Sequence, residues 1–166
     1  MPTVTKALVV RSVDYKDSDK ILTLLTPDMG KLSARARGCR KKGSAIAAAC
    51  QLLCWSELVL SDRMGKWSVT EASTLREFLG VRQDLDKLAL ACYFAEMAEV
   101  LSVEGMPSPG LLSLTLNSLH ALECLDRPPE QIKAVFELKA MCLAGYEPLI
   151  EGCALCGEED PEQWWF

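Results

Sequence analysis

The hydrophobic period changes near residue 75, from two residues before it to 3.6 after it. Period two is the signature of strands and 3.6 of helices, so such a chain cannot fold as one kind of layer. The clearest strand is Lys31-Leu-Ser-Ala-Arg-Ala-Arg37, which alternates strictly. Leu32, Ala34 and Ala36 share one face; Lys31, Ser33, Arg35 and Arg37 share the other. Four more strands are predicted: Lys6 to Arg11, Lys20 to Thr26, Leu52 to Leu60, and Lys66 to Ala72. Pro27-Asp-Met-Gly30 and Asp62-Arg-Met-Gly65 are the turns. Five short strands in about 75 residues suit a small closed antiparallel barrel, because closure removes exposed edges. The expectation is an OB-type barrel over residues 1–78.

Beyond it, Leu85, Leu88, Ala89, Cys92, Tyr93, Met97, Val100 and Leu101 follow helical spacing. Ser108-Pro109 predicts the cap and first turn of a second helix running through Leu112, Thr115, Leu119 and Leu122. Arg127-Pro128-Pro129 breaks the chain, and a third helix carries Ile132, Val135, Phe136 and Leu143 to a stop at Gly145. The fold class expected is therefore two-part α+β: the barrel, then an α-helical domain over residues 79–166. No low-complexity linker separates the parts, which predicts that they pack together. Nor does any apolar run approach the roughly 20 residues that cross a bilayer.

Charge divides along the same line. Residues 1–80 carry 13 Lys/Arg against 8 Asp/Glu, a net +5; residues 81–166 carry 5 against 15, a net −10. Between Met29 and Ser56 there is no acid, yet Lys31, Arg35, Arg37, Arg40, Lys41 and Lys42 fall within twelve residues. A row of cations on a pleated face, continued by a basic loop, can track the repeating phosphates of a nucleic-acid strand. Of the few aromatics in this half, Trp55 lies in an apolar run, whereas Trp67 sits beside Lys66 at a hairpin turn and is the candidate for base contact. Scarce aromatics favour holding the backbone over reading bases. An RNA-binding OB module and a protein-interaction adaptor remain open as alternatives. Asp14, Asp17 and Asp19 lack the glycine and glutamate of a calcium loop and are expected to form a solvated turn.

The eight cysteines do not suggest a disulfide scaffold. Cys50, Cys54, Cys92, Cys124 and Cys142 lie in apolar stretches, where a free thiol acts as a small hydrophobe, and a reducing cytoplasm is expected. Cys153-Ala-Leu-Cys156-Gly157 is half of a zinc knuckle, lacking two of the four ligands of a structural site. His120, alone in the second helix, is expected to be structural or at the surface. No nucleophile context and no P-loop is present, so no enzymatic activity is expected.

These segments, in order, resemble the RecO family of bacterial DNA repair and recombination proteins. The resemblance is carried by Lys20-Ile-Leu-Thr-Leu-Leu-Thr-Pro-Asp-Met-Gly-Lys31, Ala34-Arg-Ala-Arg-Gly38, Leu85 to Glu96, Ala134-Val-Phe-Glu-Leu-Lys139, Leu143-Ala-Gly-Tyr146 and Cys153-x-x-Cys156. It implies an OB domain, a helical domain with a zinc element, and a cytoplasmic non-enzymatic mediator. Such a mediator binds single- and double-stranded DNA, anneals complementary strands, works with RecR and single-strand-binding protein, and helps load RecA. Members of the family carry a second cysteine pair after the first. The end at Trp164-Trp165-Phe166 therefore predicts a C-terminally truncated chain.

Overall fold

In the computed structural model, which describes residues 2–150, 152 and 156–159, the five strands close into a barrel. They are β1 (Pro2–Tyr15), β2 (Asp19–Thr26), β3 (Gly30–Ala36), β4 (Trp55–Arg63) and β5 (Lys66–Arg76). The order around the barrel is β1-β2-β3-β5-β4, antiparallel except where β3 runs parallel to β5. This is the OB-type arrangement that the strand pattern predicts. Strand β1 is longer than expected and serves both sheet edges. Its first half pairs with β4 and its second half with β2, and the register shifts between Val9 and Arg11. A bulge there increases the local twist and lets one long strand bend round the barrel. Met64 and Gly65, both at positive φ, make the two-residue hairpin turn between β4 and β5.

The alternation of β3 holds residue by residue. Leu32, Ala34 and Ala36 are buried, Ser33 is exposed, and Lys31 and Arg35 are half-buried. The inner face joins Ala7, Val9, Leu22, Leu24, Leu58, Leu60 and Val69 in one core. Residues 37–54 form successive turns rather than strand, and place Cys39, Ile46 and Cys50 against that core. The helical part comprises α1 (Leu79–Arg82), α2 (Leu85–Leu101), α3 (Pro109–Cys124) and α4 (Pro129–Leu143). Three of these are the helices that periodicity predicts; α1, a single turn, is not legible in the sequence. Asp84 caps α2, accepting from the amides of Asp86 and Lys87 at 3.0 Å. Ser108 occupies the cap position of α3 but makes no side-chain cap bond. Gly145 ends α4 at φ 89, with Gly145 N donating to Cys142 O and Tyr146 N to Met141 O, the two bonds of a Schellman motif.

A second core ties the parts together. Leu8, Val10 and Leu25 from the outer barrel face pack with Phe78, Val81, Phe94, Leu112, Leu119 and Phe136. The β2–β3 turn meets the segment after α2 very closely. Gly105 N donates to Lys31 O at 3.0 Å, and a Cβ on Gly30 would lie 2.1 Å from Met106 O. Gly30 also sits at φ +66. Gly30→Ala should therefore cost about 2 kcal/mol or more, from left-handed strain and overlap together. Gly65→Ala, at φ +77 with nothing within 4 Å, should cost about 1 kcal/mol. Urea unfolding of both variants checks the difference, and equal losses would contradict the close approach.

Candidate nucleic-acid interface

Antiparallel pairing sets Ile21 opposite Arg35 and Asp19 opposite Tyr15. Because side chains alternate, the outer face at this end of β1, β2 and β3 gathers Tyr15, Ile21, Ser33, Arg35 and Arg37. Gly65, Lys66, Trp67 and Ser68 from the β4–β5 hairpin, with the acid Glu104, complete a cleft of about 420 Å³. Arg35 lies over the Tyr15 ring at 5.2 Å. Arg37 and Lys66 are exposed, and neither makes an ion pair among the described residues. Trp67 is half-buried against the barrel core. Cations and two aromatic rings thus share one concave surface, the combination that suits a single strand.

The six cations of the basic cluster do not form one continuous face. Arg35 and Arg37 meet Trp67 in the cleft. Lys31 instead reaches the helical part, where its Nζ donates to the backbone oxygen of Glu99 at 2.8 Å. That oxygen is near the end of α2, where carbonyls lack helical partners and a cation is favoured. Glu99 also takes Arg11 at 3.4 Å and Thr23 Oγ1 at 3.5 Å, so Lys31 belongs to a seam between the parts. Arg40 pairs with Asp14 at 3.2 Å and donates to Lys16 O at 3.3 Å. Its amide donates to Ser18 O at 2.9 Å, so the start of the loop is fastened rather than free. Lys41 lays its methylenes near Gly38, while Lys42 is exposed.

The expected solvated turn before Lys20 is corrected at one residue. Asp19 is 7% exposed and accepts from Arg35 Nε at 2.8 Å, Arg35 Nη2 at 2.5 Å and Gly38 N at 2.7 Å. The strand of cations has no acid of its own, but pairing with β2 brings one to it. Tyr15 and Lys66 are cleft residues that the charge pattern passed over. Continuing the period-two face of β1 outward from Arg11 reaches Val13 and Tyr15, which is the signal that could have found the ring.

Metal-ligand atom types meet elsewhere. His120, Glu123 and Cys124 offer atoms within 4.8 Å of one another. Arg76 Nη2 lies among them, 2.8 Å from His120 Nδ1, 2.7 Å from Glu123 Oε2 and 3.7 Å from Cys124 Sγ. Burial alone would raise the Glu123 carboxyl, but bonds from Arg76 and the Gly80 amide overcome it and hold it low. A guanidinium already satisfies these donors, so the set does not fit a zinc ion with Arg76 in place. Of the knuckle thiols, Cys153 lies outside the described residues, and Cys156 is exposed beside Gly157 at φ 77. Two thiolates are half of a tetrahedral set, so they do not fit zinc by themselves either.

The Gly38 amide, and then Arg35, hold the Asp19 carboxyl below its usual 3.8. A depressed carboxylate stabilises the fold fully above its unfolded pKa, and that contribution is lost as pH falls through the lower folded value. Asp19→Asn should therefore be less stable than the parent at pH 7, and the gap should narrow as the pH falls below 3.8 and through the lowered folded value. Denaturant midpoints of both proteins across pH 2–7 check this; a constant gap would contradict it.

With the fold and cleft defined, comparison with known proteins is direct. The sequence model of the recombination protein O N terminal matches residues 1–78, and that of its C terminal matches residues 82–166. DNA repair protein RecO of Acetivibrio thermocellus is 35% identical over 153 residues, covering 92% of this chain and 61% of that protein. The protein of the same name from Dehalococcoides mccartyi is 35% identical over 152 residues, covering 92% and 60%. That from Desulfitobacterium hafniense is 36% identical over 152 residues, covering 92% and 55%. The chain thus spans about three-fifths of the length of these relatives. It belongs to the recombination protein O family of DNA repair proteins.

Proposed function

We propose that this chain binds DNA along the outer barrel cleft, holding the sugar–phosphate backbone with Arg35, Arg37 and Lys66, with Trp67 and Tyr15 beside the bases. The observation that carries this reading is the cleft itself, where cations and aromatic rings from β1, β3 and the β4–β5 hairpin converge. Lys41 and Lys42 extend the positive surface, and Arg40 and Lys31 support it from within the fold. The acidic helical part repels DNA and confines it to the barrel side. Cations that grip phosphates leave base edges free, which is what pairing two complementary strands requires.

The family's DNA repair role extends this reading to a mediator of strand annealing and RecA loading that works with RecR and single-strand-binding protein in the bacterial cytoplasm. Zinc held by Cys153 and Cys156 together with further ligands belongs to the same proposal. Metal analysis of the purified 166-residue chain should give well under one zinc per chain, since two thiolates alone hold it weakly.

Arg35 and Arg40 are poor sites for testing DNA contact, because reversing either also breaks an internal pair. Arg37→Glu, Lys41→Glu and Lys42→Glu avoid that. Each lost phosphate contact should lower the slope of log affinity against log salt by about one and weaken all sequences alike. Trp67→Ala should cost about 1–3 kcal/mol of single-strand affinity. Oligonucleotide titrations at several salt concentrations read both effects. Unchanged affinity in the triple variant would overturn the reading.

A further inference from the structure

A second cleft, sharing no residue with the first, lies where residues 39–54 cross β1 and β2 beside the end of α1. It holds about 430 Å³ and is lined by Ser12, Lys20, Cys39, Arg40, Ala47, Gln51, Leu52 and Arg82. Three of the eight are cations and none is an acid. Lys20 adjoins Ile21 in β2, so period two sends their side chains to opposite faces, and only Ile21 joins the aromatic cleft. Among the described residues Lys20 makes no ion pair or side-chain hydrogen bond, whereas Arg40 is matched by Asp14. Arg82 is held by neutral partners, donating from Nε to Glu77 O at 2.9 Å and from Nη2 to Leu52 O and Cys54 Sγ. Those bonds fix the guanidinium and leave its charge unneutralised.

Among the described residues no carboxylate lines the cleft; Asp14, which stands opposite Lys20 across β1 and β2, is paired with Arg40. Burial raises the thiol of Cys39 in the wall, and pushes that of Cys50, which contacts it, up to about 12, so both stay neutral near pH 7. The Ser12 hydroxyl is buried with no hydrogen-bond partner among the described residues. An orphaned hydroxyl and two unmatched cations converge from three different elements. A hydroxyl, an ammonium and a guanidinium brought from three elements to one cleft can each take a different oxygen, which suits the several oxygens of a tetrahedral anion better than the two of a carboxylate.

We propose that the Lys20–Arg82 cleft is a seat for a phosphate group, with Arg40 at its rim. The group comes either from a nucleic-acid diester, which rests on the DNA-binding reading above, or from a free phosphate. Amide spectra of the full chain, titrated with inorganic phosphate and separately with an unphosphorylated thymidine dinucleotide, test this. Saturable shifts at Cys39, Ala47 and Arg82 with both probes support the seat and assign it to a diester. Saturation with inorganic phosphate alone supports a free-phosphate seat. In either case Lys20→Gln should weaken binding about tenfold, the loss of one charge-assisted contact, and Arg82→Lys should retain part of it. No saturable shift, or unchanged affinity in a folded Lys20→Gln protein, would overturn the proposal. Failure of the DNA-binding reading is separate: oligonucleotide affinity would then be indifferent to Arg37→Glu while phosphate binding persisted.

Discussion

A buried carboxylate sets the geometry of the basic surface. Asp19 opens β2, takes both guanidinium donors on one side of Arg35, and accepts the amide of Gly38 where β3 gives way to the loop. One acid therefore orients a cation on the outer face and fixes the exit of the chain from the barrel. Arg35 then lies over Tyr15 instead of ranging through solvent. A buried charge without partners is costly, so this arrangement holds only while all its donors remain. It turns a run of basic residues into a shaped surface, in which Arg35 and Arg40 are placed by their partners while Arg37 and Lys66 are exposed and form no ion pair among the described residues.

The two parts are joined by packing and by charge of a different kind. Leu8, Val10 and Leu25 present apolar surface outward from the barrel, and the helices cover it with Phe94, Leu112 and Leu119. Around that contact, Glu99 gathers Arg11, Thr23 and Lys31. The seam thus draws on the basic barrel and the acidic helices alike, and some of the +5/−10 division is spent in holding the molecule together. Of the remaining positive charge, Arg35, Arg37 and Lys66 line the cleft, whose one acid among the described residues is Glu104.

Most of the fold was legible because the chain states its period plainly. Strict alternation in β3 assigns every residue to a face, and the α3 stripe of Leu112, Thr115, Leu119 and Leu122 marks its buried side. In α2, where apolar residues lie on all sides, the buried residues are instead Ala91, Phe94, Ala95 and Ala98, with Leu85 and Val100 exposed. Of the stripe expected in α4, Phe136 is buried while Val135 and Leu143 are exposed. The single turn of α1 is too short to show a period, and the bulge in β1 depends on two partners rather than on local sequence. The site was legible only in part. Sequence proximity grouped six cations, but pairing across strands sends Lys31 to the helices, Arg40 to Asp14 and Arg35 to Asp19. A count that found no acid between Met29 and Ser56 could not see acids contributed by β1 and β2. The same non-local pairing brings Tyr15 and Lys66 into the cleft. His120 is likewise fixed by a residue 44 positions away, Arg76.

The central claim is that DNA lies in the cleft between β1, β3 and the β4–β5 hairpin. Mapping backbone amide and indole shifts during titration with an oligothymidylate tests it most directly. The account predicts saturable changes at Tyr15, Arg37, Lys66 and the Trp67 indole, with α3 and α4 unaffected. Changes confined to the helices, with the Trp67 indole unmoved at saturation, would contradict it.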